Sequence, residues 1–344
     1  MSSKFRYVDL ANRIQDQIEN GAFKLSEKLP SLRTLCQQTG YSMTTVLQAY
    51  AELENRGVVE SRPRSGYFIR PRSTPLRRVP QMRTHRVAPR KIDLDNLIHQ
   101  LTADMGAPGV LNLGGVAVAP DHLPCRRLHQ HLKAIPRQEI ARVIAGYVDP
   151  QGDVQLRTQI TRQLFPIIPD VTEEDIVITS GCTEAISLGL QTVARAGDKV
   201  LLESPTDPWL RQTIRDYDIY ALEVPTHPET GIDLEAVARI VAREKIAACI
   251  LNPNCQNPLG FIMPDEAKRR LLETLIPRKI PIIENDICGD LYFGTRRPNP
   301  IKRWDPDGSV LYCTSFSKTL AAGLRVGWVV AGRYRERLIR RKLN

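Results

Sequence analysis

Two segments of this sequence carry side chains that can do chemistry together. Ser180-Gly181-Cys182-Thr183 stands between a strand-like run and a helix-like run. Glycine permits close backbone approach to a ligand, and the amides at a helix start can cradle a phosphate. Ser315, Ser317 and Lys318 follow another strand-like run, and Arg325 lies seven residues beyond the lysine. Hydroxyls and two cations after neighbouring strands complete an anion site. Lys318 can also form an imine with a carbonyl if its surroundings lower its pKa enough to expose a neutral amine. On composition alone the same residues also fit an ordinary turn with surface cations.

The elements that must position them are legible as alternation. Beyond residue 110, β-rich runs at 176–179, 199–203, 220–224, 247–251, 281–284, 310–314 and 326–330 alternate with connections long enough for helices, including 184–194 and 265–275. This pattern predicts a seven-stranded, mainly parallel, doubly wound sheet covered on both faces. Ligands in such sheets favour the carboxyl ends of the strands.

A second chemistry sits upstream. Residues 1–91 hold 17 Lys and Arg against 7 Asp and Glu, and residues 92–344 hold 31 of each. The formal net charge of +10 therefore belongs to the first quarter of the chain. Tyr7, Leu10, Ala11, Ile14 and Ile18 follow one helix face and Asn20-Gly21 ends it. Ser31 can cap a short second helix, Gly40 supplies a turn, and Ser42 can cap a third helix with Val46, Tyr50 and Leu53 inward. Two short strands are expected at 58–61 and 66–69, flanking Arg62-Pro63-Arg64-Ser65. The order describes a winged helix-turn-helix. Ser42, Thr44, Thr45 and Gln48 open the third helix with small polar groups suited to a major groove. Arg33, Arg62 and Arg64 suit phosphates and an adjacent groove, so the expected partner is double-stranded DNA. A small helical domain whose arginines are only its solvated face is the bland alternative.

The first resemblance rests on LPSLRTLCQQTGYSMTTVLQAYAELENRGVVESRPRSGYFI, residues 29–69. It resembles the winged-helix domain of GntR-type bacterial regulators. The resemblance implies operator contacts at Arg33, Ser42, Thr44 and Gly66. Met43 departs from it, because many members place an arginine there. The second rests on GYVDPQGDVQLRTQI, TSGCTEAISLGL, NPNCQNPLG and SFSKTLAAGLRVGW. These resemble the large domain of fold-type I aminotransferases, as found in the MocR branch of GntR regulators. That resemblance implies pyridoxal 5'-phosphate as cofactor, with Lys318 in the Schiff-base role and Arg325, Ser315 and the turn Gly181, Cys182, Thr183 at its phosphate. It also implies that Asn257 faces the phenolic oxygen.

Three ring contacts depart from that pattern. Where the family has an aromatic ring to stack on the cofactor, ESPTDP has Asp207. Where it has an aspartate for the pyridine nitrogen and, three residues later, a tyrosine, IENDIC has Asn285 and Cys288. A one-residue shift would bring in Asp286 at the cost of the phase set by Glu284. Asparagine carries no charge to hold the ring nitrogen protonated, which weakens the electron sink for carbanion chemistry.

The expected organisation is a winged helix-turn-helix at 1–70, a basic, proline-rich linker at 71–91 and an aminotransferase-like domain at 92–344. The sequence stops inside RYRERLIRRKLN, so the family's C-terminal small domain, with its arginine for a substrate carboxylate, is expected to be lacking. Seven scattered cysteines without a CxxC pair fit a reducing cytoplasm, and neither they nor the six histidines have a metal-ligand spacing. No run of eighteen apolar residues predicts a membrane span, and the N-terminus lacks the apolar stretch of a secretory signal. The expected function is a cytoplasmic DNA-binding transcriptional regulator, forming a homodimer if its body folds stably. Its effector domain binds pyridoxal phosphate or is degenerate. The alternatives are an aminotransferase with a DNA-binding appendage and a ligand-free DNA-binding remnant.

Overall fold

The computed structural model describes residues 6–20, 22–23, 27–62, 65–70, 87–89, 100, 103–105, 107–110, 118–147 and 149–343. Its contacts fall into two units, Met1–Val79 and Pro80–Asn344.

The first unit is three helices and a hairpin. Helix α1 is Arg6–Glu19, α2 is Leu32–Thr39 and α3 is Met43–Asn55. Ser31 and Ser42 cap α2 and α3 as expected, each hydroxyl accepting a backbone N–H three residues on, at 3.2 Å. Gly40 ends α2 at φ 70°, a left-handed conformation that costs glycine nothing. Strands β1 (Val59–Arg62) and β2 (Gly66–Ile69) pair antiparallel. Strand β1 starts one residue later than the sequence predicts because the Val58 N–H still bonds the Leu53 carbonyl and closes α3. Leu10, Ala11, Ile14, Leu35, Val46, Tyr50, Leu53, Val59 and Ile69 form one buried core. Buried Tyr50 donates its hydroxyl to the Pro30 carbonyl at 2.7 Å, which ties α3 to the turn before α2.

The second unit is built on an eight-stranded sheet. Its strands are β3 (Ile176–Thr179), β4 (Lys199–Ser204), β5 (Tyr220–His227), β6 (Gly231–Ile232), β7 (Ala248–Leu251), β8 (Ile282–Asn285), β9 (Val310–Ser315) and β10 (Gly327–Val330). Their spatial order is β3-β10-β9-β8-β7-β4-β5-β6. From β9 to β5 every neighbour pair is parallel, whereas β10 runs antiparallel to both β9 and β3. All seven expected strands are present. The eighth arises because β5 continues past Val224 to His227 and turns back through the two-residue β6, too short to leave a pattern.

Alternate residues on each strand feed opposite layers, as a pleated, doubly covered sheet requires. Val200, Leu202, Ile250 and Leu311 pack into one core, and Leu201, Cys249, Leu251 and Val310 into the other. Val87, inside the expected linker, packs against the second of these cores. The helices Cys125–Lys133 and Arg137–Ala145 have no buried residue. The terminal helix Arg335–Lys342 buries Leu338 in the first core. Among the described residues no helix is long and apolar enough to cross a membrane, and no group of three or more His, Cys, Asp or Glu is arranged to hold a metal.

Candidate functional site

The parallel strands deliver their carboxyl ends, and the turns that follow them, to one edge of the sheet. After β3, Gly181 takes φ 96° and begins the helix Cys182–Val193. The Arg325 guanidinium fills the space a side chain at Gly181 would need, and Gly181 itself blocks a side chain at Gly327. Arg325 also takes a left-handed φ of 54° and donates Nη2–H to the Ser180 carbonyl at 2.9 Å. A glycine turn, a helix start and a guanidinium therefore meet, which is the donor set of a phosphate cradle. Thr183 is exposed on the first turn of that helix. The Glu184 carboxylate accepts the Ser180 N–H.

Cys182 can serve this cradle only through its backbone. Its Sγ is buried and donates to Asn285 Oδ1 at 3.4 Å, so only its backbone N–H is left to serve an anion. Burial raises this thiol far above its ordinary pKa, with Asp286 adding to the effect, and it stays protonated.

After β9, buried Ser315 accepts the Ser317 N–H at 3.2 Å and shapes the turn Phe316–Lys318. Lys318 ends this turn, half-buried, and its charge acts on both Cys182 and Cys288. Burial pushes the Cys288 thiol up to about 11 despite that cation, so it too is neutral.

Three segments distant in sequence are tied together by one residue that sequence reasoning did not single out. The Asn252 N–H donates to Glu203 Oε2 at 2.7 Å, its Nδ2 donates to the Asn285 carbonyl at 2.5 Å, and its Oδ1 accepts the Asn257 N–H at 3.0 Å. Glu203 is the penultimate residue of β4, Asn252 follows β7 and Asn285 ends β8. Asn252 opens the motif NPNCQNPLG, whose last asparagine drew the attention instead. Asn257 donates Nδ2–H to Asp207 Oδ2 at 3.2 Å, and Asp207 caps the helix Pro208–Asp216 by accepting the Trp209 N–H at 2.8 Å. Asp207 is thus held by its own neighbourhood and presents no ring.

Asp286 is also committed. It accepts from Arg297 Nη2 at 2.6 Å, the Tyr312 hydroxyl at 2.7 Å and Asn254 Nδ2 at 2.8 Å, and is 1% exposed. The one-residue shift weighed from the sequence is therefore closed. Asn285, not Asp286, is the β8 terminus that contacts Cys182. The phosphate and carbonyl ends of pyridoxal phosphate find fitting groups here, whereas the ring would meet an amide, a thiol and a capping carboxylate.

On the first unit, Arg33, Ser42, Thr44 and Gln48 are exposed and Thr45 is half-buried. Ser42 and Thr45 share a side-chain hydrogen bond of 2.9 Å, which leaves Thr44 and Gln48 as the more open polar groups. Arg62 pairs with Glu60 at 2.7 Å and stacks 4.4 Å above the Phe68 ring. Gly66 takes φ 100° with the Lys28 side chain close by. Arg64 lies outside the described residues.

Residues 6–69 match the family of bacterial regulatory proteins, gntR family, and residues 115–341 match aminotransferase class I and II. The chain is 39% identical over 337 residues to the HTH-type transcriptional regulator YjiR of Escherichia coli, covering 98% of this chain and 71% of that one. It belongs to the GntR-type transcriptional regulators that carry an aminotransferase domain, the MocR-like branch. A second such regulator, YdcR of Escherichia coli, is 33% identical, covering 98% of this chain and 72% of its own length. The crystal structure of the α-aminoadipate aminotransferase LysN from Thermus thermophilus, complexed with N-(5'-phosphopyridoxyl)-L-leucine, superposes with a TM-score of 0.63 at 27% identity. That match covers 73% of this chain and 66% of LysN. This MocR-like chain thus spans about seven tenths of the regulators and just under two thirds of the enzyme.

Proposed function

We propose that this regulator binds operator DNA through α3 and the β1–β2 wing and uses its aminotransferase-like domain as a receptor for pyridoxal phosphate. The observation that carries the receptor reading is the meeting of Gly181, the helix start at Cys182, Arg325 and Lys318 at one strand edge. Arg325, the amides of Gly181–Thr183 and Ser315 would hold the phosphate, Asn257 would face the phenolic oxygen and Lys318 would take the carbonyl. When bound, the cofactor supplies an electron sink for amine chemistry. This chain's ring contacts work against that use, because Asn285 carries no charge to keep the ring nitrogen protonated. The phosphopyridoxyl ligand of LysN, on the same fold, supports the choice of ligand class. A sensor of the cofactor, or of amines that react with it, fits the site better than an efficient aminotransferase.

In this reading Arg33 and the wing arginines grip phosphates, while Thr44 and Gln48 meet base edges. The tether is the part of 71–91 before Val87, which packs on the second unit. A homodimer, as in other fold-type I bodies, would present two heads to paired half-sites. The compartment is the cytoplasm, where operator DNA and free thiols both belong.

The test is chemical labelling. Incubation of the full chain with pyridoxal phosphate followed by borohydride should fix a phosphopyridoxyl group on Lys318, and Lys318→Ala should lose it. Unlabelled wild-type protein would favour the ligand-free remnant, and rapid turnover of an amino acid would favour the enzyme.

A further inference from the structure

Asn285 is 7% exposed and its amide is oriented by its neighbours. Its Oδ1 accepts the Ile287 backbone N–H at 3.2 Å and the Cys182 S–H at 3.4 Å. Its carbonyl is held by Asn252. Turning the amide over would set Nδ2–H against the Ile287 N–H, donor against donor. Protonation of the Cys182 thiol by burial adds a second donor on the same side. Both lone-pair directions of Oδ1 are therefore used. Among the described residues Nδ2 has no partner, and it is not one of the atoms sealed from solvent without one. What remains available to a ligand at this point is a hydrogen-bond donor.

The charged groups around Asn285 do not change that. Asp286 is saturated by Arg297, Tyr312 and Asn254. Asp207 is occupied at its helix start and by Asn257. Lys318 is a cation. A pyridinium N–H directed at Asn285 would face an N–H donor with no carboxylate to receive it. A bare ring nitrogen would accept that donor.

We infer that Asn285 makes this site selective for a ring whose nitrogen is unprotonated and accepts a hydrogen bond, in place of a cationic pyridinium. The inference rests on the pyridoxal phosphate reading above and concerns which protonation state of the ring the chain admits.

The experiment compares two ligands on the full chain: pyridoxal phosphate and N-methylpyridoxal phosphate, whose ring nitrogen is permanently cationic. Binding is read by absorbance titration and by the amount of borohydride-fixed label. Ring protonation is read by nitrogen-15 NMR of bound, ring-labelled pyridoxal phosphate. The N-methyl compound should bind about tenfold or more weakly, the scale of one lost hydrogen bond with a buried donor left unmatched. The nitrogen signal should stay that of an unprotonated ring between pH 6 and 9. Asn285→Asp should move the signal to the protonated position and narrow the gap between the ligands. If that variant fails to fold, the wild-type ligand pair and the nitrogen signal still decide. Equal binding of both ligands, or a protonated signal in wild type, overturns the inference while leaving the cofactor reading intact. No label with either ligand overturns both.

Discussion

The two units solve the problem of presenting functional groups in opposite ways. In the first, the candidate DNA contacts sit on the outside of a core made from contiguous sequence. Ser42 and Thr45 spend their side chains capping α3, and Thr44 and Gln48 stand clear of that core. In the second, the candidate cofactor groups come from turns after β3, β4, β7, β8 and β9, which meet only once the sheet is assembled. Their alignment depends on buried polar bonds such as Asn252 to Glu203, Asn285 and Asn257. A surface contact of the first kind can be altered with little effect on folding. A group of the second kind shares its hydrogen bonds with the scaffold, so removing it should disturb both.

The sharpest test of this contrast is Arg297→Ala. Arg297 pairs with Asp286 at 2.6 Å and with Asp290 at 2.5 Å, and Asp286 is fully enclosed. Removing the cation strands a buried carboxylate, which costs about 3–5 kcal/mol. The second unit should melt at a markedly lower temperature in calorimetry while the first keeps its transition. An unchanged melt would show that the polar network is not structural.

Next in size is a pH effect at Glu203. Burial pushes its carboxyl up to about 8, against the lowering effect of hydrogen bonds from the Asn252 N–H and the Gln256 side chain. The unfolded chain releases this proton near the ordinary carboxylate range, around pH 4.3. Between there and about pH 8 the folded state holds a proton that the unfolded state has lost. Stability should therefore fall as pH rises through that window and level off above it. Glu203→Gln keeps an acceptor for Asn252 and removes the titration. It should flatten the fall, by an amount on the order of a few kcal/mol at pH 8. Parallel pH curves for wild type and variant would refute the assignment of this slope to Glu203.

These two tests also mark where sequence and structure part. The strands, the capping serines, the glycine turn at 181 and the lysine turn at 318 were readable because each signal is local: an alternation, a cap, a short motif. Asp207, Asn285 and Cys288 were readable as departures, but not what they do instead. Asp207 becomes a helix cap and Asn285 a partner for Cys182, through contacts that span about a hundred residues in the second case. Arg297 left no local signal, and Asn252 lay in the NPNCQNPLG motif with nothing local to show what it holds. Their importance comes from partners that topology supplies.

On the first unit, Ser42→Ala should cost about 1 kcal/mol, the ordinary value of a helix N-cap. Both the Thr45 N–H bond and the Thr45 hydroxyl bond are lost. The effect should appear in the melt of that unit and leave phosphopyridoxyl labelling of Lys318 unchanged. If labelling falls with it, the two units are energetically coupled and the contrast drawn above fails.

The smallest expected effect concerns DNA alone. Met43 is 45% exposed in the first turn of α3, between Ser42 and Thr44, where many GntR-type domains carry an arginine. Its side chain contributes nothing to the buried core of that unit. Met43→Arg should therefore leave stability within about 0.5 kcal/mol of wild type. An added phosphate contact should release about one more counterion, so the slope of log affinity against log salt should steepen by about 0.9. The gain should be similar across unrelated duplexes, because a phosphate contact carries no sequence information. A gain confined to one sequence would instead place residue 43 against a base edge. No change in slope would mean that the first turn of α3 lies away from the DNA backbone, and the docking geometry proposed for Arg33 and Thr44 would have to be redrawn.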